Sequence, residues 1–445
     1  MSIHSEDAEK FLLAAKRAEI DALQRLSRSC ELVTTVSDLV HHLQRERGIS
    51  NIYLVSEGAR FCHQRKLQIG FAGSSEQRFR QLLHQRYLNA SEAQNMRLLN
   101  SIAYTLHGLD DLPALRHRVD EHEIAALEAT SAYCRLIAGL LSVVFEAADV
   151  ADDPEVTRML ISLFNLMQAK EFAGQERAWG AIGFAGSHFD AALHDRLRHL
   201  QECQARSMEL FAEYAGPGEL ERWQGIEDSQ STGDLQRLRG VIAGLKSGQP
   251  IAAEISEVWY QLATARIDCM HGLEDAMAER LLAVSRSRVA QAQSELGHHY
   301  ARLQVMKNAA WPPAPATTLL FDPDVPGLIG NTSAAAGMSP LHSQKLEQSL
   351  YDLIRDQVAH IRRVSDELEE TRRALSERKL VERAKGVLMR SLRMSEDHAY
   401  RTIQQRAMAM NMKLVDVAAM ILEIGEGEIR RDSKSRGSNS ECSLA

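Results

Sequence analysis

Apolar residues recur at three- and four-residue spacing along most of the chain, and strand-like alternation is almost absent. VSDLVHHLQRERG (36–48), VTRMLISLFNLMQAKEFA (156–173) and the long run from Glu254 to Leu296 each carry one apolar helical stripe. The spacing predicts an all-α protein, with residues 1–308 folded as antiparallel helix bundles. The pattern breaks after Asn308, where WPPAPATTLLFDPDVPGLIGNTSAAAGMSPLHSQ holds six of the ten prolines. No helix runs through such a stretch, so 309–344 reads as an interdomain linker. Periodicity resumes near Lys345. Ile354, Ile361, Leu368 and Leu375 repeat every seven residues, with Leu350, Gln357, Val364 and Thr371 at the second seam position. This predicts a helix over 345–375 that either pairs two chains as a coiled coil or packs within its own domain; the charged flanks favour the two-stranded seam and hence a homodimer. Three short helices follow within 376–425, separated near Ser395, a good N-cap, and near Asn411. The polar tail 426–445 has the composition of a disordered segment.

Composition narrows the function classes. The chain has 445 residues, 44% hydrophobic and 25% charged, a formal net charge of -8 and a pI near 6.1. A wholly basic nucleic-acid binder is excluded, but the charge is uneven. From Arg378 to Lys413 there are nine Lys or Arg against three acids. On the first short helix Leu380, Val381, Ala384, Val387 and Leu388 form one arc, with Lys379, Arg383 and Arg390 opposite and Lys385 on the flank. Such a face neutralises phosphates in a salt-dependent way, although a solvated surface gives the same pattern. Tyr400 is a candidate for stacking on an unpaired base. Gly386, mid-helix, predicts a close approach of backbone or ligand, because glycine there costs roughly 1 kcal/mol relative to Ala.

Six scattered cysteines without metal-ligand spacing suit a reducing, cytoplasmic location. The N-terminus lacks a signal peptide's apolar region, and no stretch reads as a membrane span. The paired histidines His41–His42 and His298–His299 read as exposed helix positions rather than metal ligands, so no metal is expected. The chain shows no GxSxG, Walker, HExxH, kinase or Rossmann signature, and the glycines of GAIGFAGSHF (180–189) follow no strand. Neither catalytic residues nor a cofactor is expected.

One charged residue stands out in the N-terminal region. Arg47 continues the apolar stripe of Val36, Leu39, Val40 and Leu43. A buried arginine requires a partner, either an acid from another helix or a diffusible anion. A second segment, with Gln175, Glu176 and Arg177 after an apolar run, echoes Gln44, Glu46 and Arg47.

The C-terminal motifs ERAKGVLM, SEDHAY, RAM and LVDVAAMIL resemble the ANTAR family of small three-helix RNA-binding modules. Ala384, Lys385, Gly386, Ala399, Tyr400 and Ala418 fall in that family's order; Ile403-Gln404 stands where the family usually reads Leu-Arg. The resemblance implies binding to leader-RNA stem-loops, with Lys385, Arg390, Arg406 and Tyr400 as contacts. QRERG, the downstream GQERA, and Trp259 with the following ATARID resemble the NIT family of helical nitrate- and nitrite-sensing domains, over a core of about 35–300. That resemblance implies nitrate or nitrite as ligand, held by Arg47, Arg177 and a third arginine. Alignment favours Arg237 and helical angle favours Arg239, so both stay open. Guanidinium forks suit a planar monovalent oxyanion, and an empty arginine cluster is expected to repel itself until the anion draws the helices together. The two resemblances together imply a transcription antitermination regulator without membrane attachment, in which anion binding frees the RNA-binding module and terminator formation is prevented. The competing expectation is an anion sensor whose C-terminal helices bind a protein.

Overall fold

The computed structural model describes residues 3–88, 96–148, 153–252 and 255–308, and in the C-terminal part 363, 365–369, 377, 380–381, 383–389, 396–410 and 412–422. The linker, most of the heptad helix, the tail and Arg390 lie outside these residues. Among the described residues every regular element is helical.

The described residues of the N-terminal region form the α-helices α1 (Ile3–Val55), α2 (Cys62–Leu83), α3 (Met96–Asp110), α4 (Leu112–Asp120), α5 (Ala126–Ala148), α6 (Pro154–Ala185), α7 (Ala191–Tyr214), α8 (Pro217–Glu227), α9 (Gln230–Gly244) and α10 (Ile255–Asn308), with a π-helical turn at His84–Leu88. The starts follow local chemistry. Asp153 accepts the Val156 amide at 3.0 Å ahead of Pro154, and Asp190 accepts the Leu193 amide at 2.7 Å. One bundle groups α1, α2, α3 and α5; the other groups α6, α7, α9 and α10. The long helices α1 and α10 pack on each other, and α6 touches both α1 and α5, so the bundles share one core. By length and composition alone, helix α5 is long and apolar enough to cross a membrane, contrary to the expectation that no stretch reads as a span. Its Tyr133, Ile137, Leu140 and Val144 are buried between the other helices, the ordinary position of a core helix.

The glycines of GAIGFAGSHF serve packing. A Cβ at Gly180 would lie 2.3 Å from the Trp259 ring, and one at Gly183 the same distance from Phe189. With Phe184 and Leu235 these rings form a second apolar cluster joining α6, α9 and α10.

One expectation is corrected by packing. His41 is buried, not exposed, and stacks on His271 with ring centroids 3.4 Å apart. Beside it the Lys170 ammonium pairs with Glu274, both side chains fully buried, and Ser37 donates to the same carboxylate. Burial drives the His41 pKa well below the ordinary value, reinforced by the Lys170 charge. Burial opposes ionisation of Glu274, but Lys170 overrides it and holds the carboxyl below the usual range.

In the C-terminal module, helical residues 380–381 and 383–389 (α11), Glu396–Met410 (α12) and 414–422 (α13) pack around Ala384, Leu388, Ala399, Ile403, Ala418 and Ile421. Gly386 meets no described protein atom within 4 Å of a Cβ, so among the described residues no backbone makes the expected close approach.

Candidate functional site

Helices α1 and α6 approach each other at two glycines. A Cβ at Gly48 would lie 2.5 Å from Nη2 of Arg177; a Cβ at Gly174 would lie 2.6 Å from Nη2 of Arg47. Each glycine thus opens space for the arginine of the opposite helix. Arg47 and Arg177 are 1% and 2% exposed, among the most deeply buried charges of the protein. The echo of Gln, Glu and Arg in the two segments is a reciprocal arrangement in three dimensions.

The arginines differ in their partners. Arg47 Nη1 donates to the Glu171 carboxylate and to Cys134 Sγ at 3.0 Å. Its Nε and Nη2 are buried without a hydrogen-bond partner among the described residues. Burial disfavours the Arg47 charge, but Glu171 outweighs burial and holds the guanidinium proton more firmly than usual. Burial also raises the Cys134 pKa against the opposing Arg47 charge, which keeps it a thiol. Arg177 has no carboxylate partner among the described residues. It donates to Thr264 Oγ1 at 2.9 Å and the Gln44 carbonyl at 3.3 Å, and stacks 4.8 Å over the Tyr260 ring, while its Nε is unpartnered. Trp259 Nε1 donates to the Arg177 carbonyl at 3.1 Å and fixes the backbone there.

The two candidates for a third arginine separate cleanly. Arg239 reaches inward to Glu176, with Nε at 2.7 Å and Nη2 on the second oxygen, and to Gln204 Oε1 at 3.0 Å. The Arg237 side chain is 76% exposed and pairs with Asp234 three residues before it. Expected self-repulsion is largely absent, since Glu171 faces Arg47 and Glu176 faces Arg239. Three arginines against two carboxylates leave one net positive charge, complementary to a monovalent anion. Sequence reasoning missed Glu171, Glu176 and both glycines. The two acids lie on or beside the echoed motif but on another helical face from the arginine stripe. Glu46, also in the motif, is fully buried and accepts two bonds from Arg116 at 2.8 Å and one from Tyr133 at 2.7 Å.

A sequence model of the family described as nitrate and nitrite sensing matches residues 38–282, more than half of the chain. The chain belongs to the nitrate and nitrite sensing family. An ANTAR domain model matches residues 369–422. The chain is 30% identical over 426 residues to a nitrate regulatory protein of Klebsiella oxytoca, spanning 95% of this chain and 97% of that protein. It is also similar to the solved structure of the NasR transcription antiterminator, at 28% identity and a TM-score of 0.58, over 93% of this chain and 98% of that one. The chain is therefore a nitrate and nitrite sensing regulator with an ANTAR output domain.

The ANTAR module of this sensor lies against α6 and α7. A groove of about 380 Å³ is lined by Phe172, Cys203 and Arg206 on the sensing side and by Glu377, Lys385 and Tyr400 on the module side. Lys385 is only 8% exposed, although lysine is seldom buried. The Arg206 guanidinium lies 4.9 Å from the Tyr400 ring centre, a cation–π contact. Arg406 faces solvent.

Proposed function

We propose that this chain is a nitrate- or nitrite-responsive transcription antitermination regulator, and that it works by binding rather than catalysis. The observation that carries the ligand reading is the pair of buried arginines across Gly48 and Gly174, with unpaired N–H donors and one uncompensated charge. Arg47 and Arg177 hold the anion. Arg239 orders the site through Glu176, and the exposed Arg237 takes no part. Unpaired buried donors are costly, so an oxyanion accepting from them stabilises whichever packing of α1 on α6 brings them together.

The output follows from the groove. With Lys385 and Tyr400 occupied by the sensing bundles, two of the module's expected RNA contacts are covered. A ligand-induced shift of α6 relative to α7 releases them, and the freed module holds leader-RNA stem-loops so that the terminator does not form. Lys385, Arg390, Tyr400 and Arg406 are its RNA contacts. The heptads from Ile354 to Leu375 support a homodimer, and the protein acts in the cytoplasm.

Calorimetric titration of nitrate and of nitrite into the full chain tests the ligand reading. Saturable binding is expected, lost in Arg47→Ala and Arg177→Ala and retained in Arg237→Ala. Absence of binding by the unmodified chain, or unchanged binding by both buried-arginine variants, contradicts it.

A further inference from the structure

We propose that Asn51 is a further ligand residue of the anion site, the neutral contact that selects a planar oxyanion over a spherical one. The inference rests on the anion-binding reading above.

Gln44, Arg47 and Asn51 stand at positions i, i+3 and i+7 of α1, on one face of the helix. All three are buried, Asn51 at 4% exposure. Each bears side-chain atoms without a hydrogen-bond partner among the described residues: Oε1 of Gln44, Nε and Nη2 of Arg47, and both amide atoms of Asn51. Across the crossing, Nε of Arg177 is in the same condition. Buried polar atoms are nearly always hydrogen-bonded. Six atoms on four neighbouring residues are exceptions, and the four donors among them, Nε and Nη2 of Arg47, Nδ2 of Asn51 and Nε of Arg177, are those an oxyanion can satisfy.

The stripe opens at Asn51 into a cavity of about 310 Å³, whose wall includes Gly48, Asn51, Ala178, Tyr260 and Phe61. Gly48 and Tyr260 are also the residues that flank the Arg177 guanidinium. The cavity therefore reaches the two residues that flank Arg177, the arginine without a carboxylate, although Arg177 itself does not line its wall. Its mouth is framed by the Arg60–Glu257 ion pair at 3.2 Å. Phe61 holds a left-handed backbone at φ 63°, a conformation that bulky residues rarely adopt and that recurs at ligand clamps.

An asparagine amide supplies a directed N–H donor without adding charge, so the single positive charge stays matched to a monovalent ion. A planar oxyanion rewards donors placed around its plane. Chloride has no such directional preference, so losing the amide costs nitrate more than chloride.

The test compares full-length Asn51→Leu with the unmodified protein, titrating sodium nitrate by calorimetry, repeating with sodium chloride as competitor, and recording thermal unfolding without nitrate. Asn51→Leu is expected to lower nitrate affinity at least tenfold, to lessen discrimination against chloride, and to leave the ligand-free Tm unchanged or higher, because an unsatisfied buried amide has been removed. Asn51→Ala, which cannot overpack, takes its place if the leucine protein does not fold. Nitrate affinity equal to that of the unmodified protein, or a loss of affinity that accompanies a lowered Tm, overturns the inference. If the unmodified chain binds neither nitrate nor nitrite, the anion-binding reading itself falls; if it binds and the Asn51 variants bind equally well, only the role of Asn51 does.

Discussion

Glu171 pairs with Arg47, so in the proposed site it competes with the anion for that arginine. Replacing it with glutamine leaves a guanidinium buried and unpaired, which costs about 3–5 kcal/mol when one partner of a buried pair is removed. An anion restores the missing charge. Glu171→Gln is therefore expected to unfold at a lower temperature without nitrate, to bind nitrate more tightly, and to recover more of its Tm on ligand addition than the unmodified protein does; equal nitrate-induced Tm shifts contradict this role. His41 makes a second residue-scale prediction. It is surrounded by Lys170 from α6, His271 and Glu274 from α10, and His42 and Arg45 on its own helix, and burial together with Lys170 holds it neutral. Its folded pKa lies below the unfolded value of 6.5, so the unfolded chain takes up the proton first. Stability is then complete above pH 6.5 and falls as the pH drops below it. His41→Gln is expected to flatten the dependence of Tm on pH between 7 and 5.5, measured by thermal unfolding. Arg47 was legible in the sequence because it interrupts an apolar stripe. His41 was not, because a histidine pair beside polar neighbours looks solvated until α10 is packed over it.

At the scale of elements, α6 is organised by its small residues. Gly174 receives Arg47, Gly180 receives Trp259 and Gly183 receives Phe189. Gly180→Ala gains helix propensity but drives a methyl group into the indole, an overpacking that costs about 1–3 kcal/mol. A fall in Tm of roughly 2–4 °C per kcal/mol is expected for a domain of this size, and an unchanged Tm contradicts the packing described. The all-helical character of residues 1–308 and the three short helices after Ser376 were readable from periodicity, because a period near 3.6 is a local property; the individual N-terminal helices, with caps such as Asp153 and Ser229, appear only in the structure. The helix crossings were not readable. A glycine run has the same appearance whether it meets a ring, an arginine or open space, and Gly386 meets no described atom. The choice between Arg237 and Arg239 needed the position of Glu176 on a neighbouring helix.

In the function proposed above, the whole molecule couples a small anion to a distant RNA surface, and α6 spans the distance between the two proposed sites. It carries Gly174 and Arg177 at the anion site and Phe172 at the groove that receives Lys385 and Tyr400. If that groove restrains the module, Arg206→Ala removes the cation over Tyr400 and is expected to raise RNA affinity several-fold without nitrate, with little change once nitrate is present; gel-shift titrations in both conditions measure it. The direction of this coupling was not contained in sequence patterns, since motif order says nothing of which surfaces face each other. The most direct measurement of the central claim is the affinity of the full-length protein for a paired stem-loop leader RNA with and without saturating nitrate. The expected result is tighter binding by tenfold or more with nitrate, abolished in Arg177→Ala. RNA affinity that is unaffected or weakened by nitrate in a protein that demonstrably binds it would contradict the account.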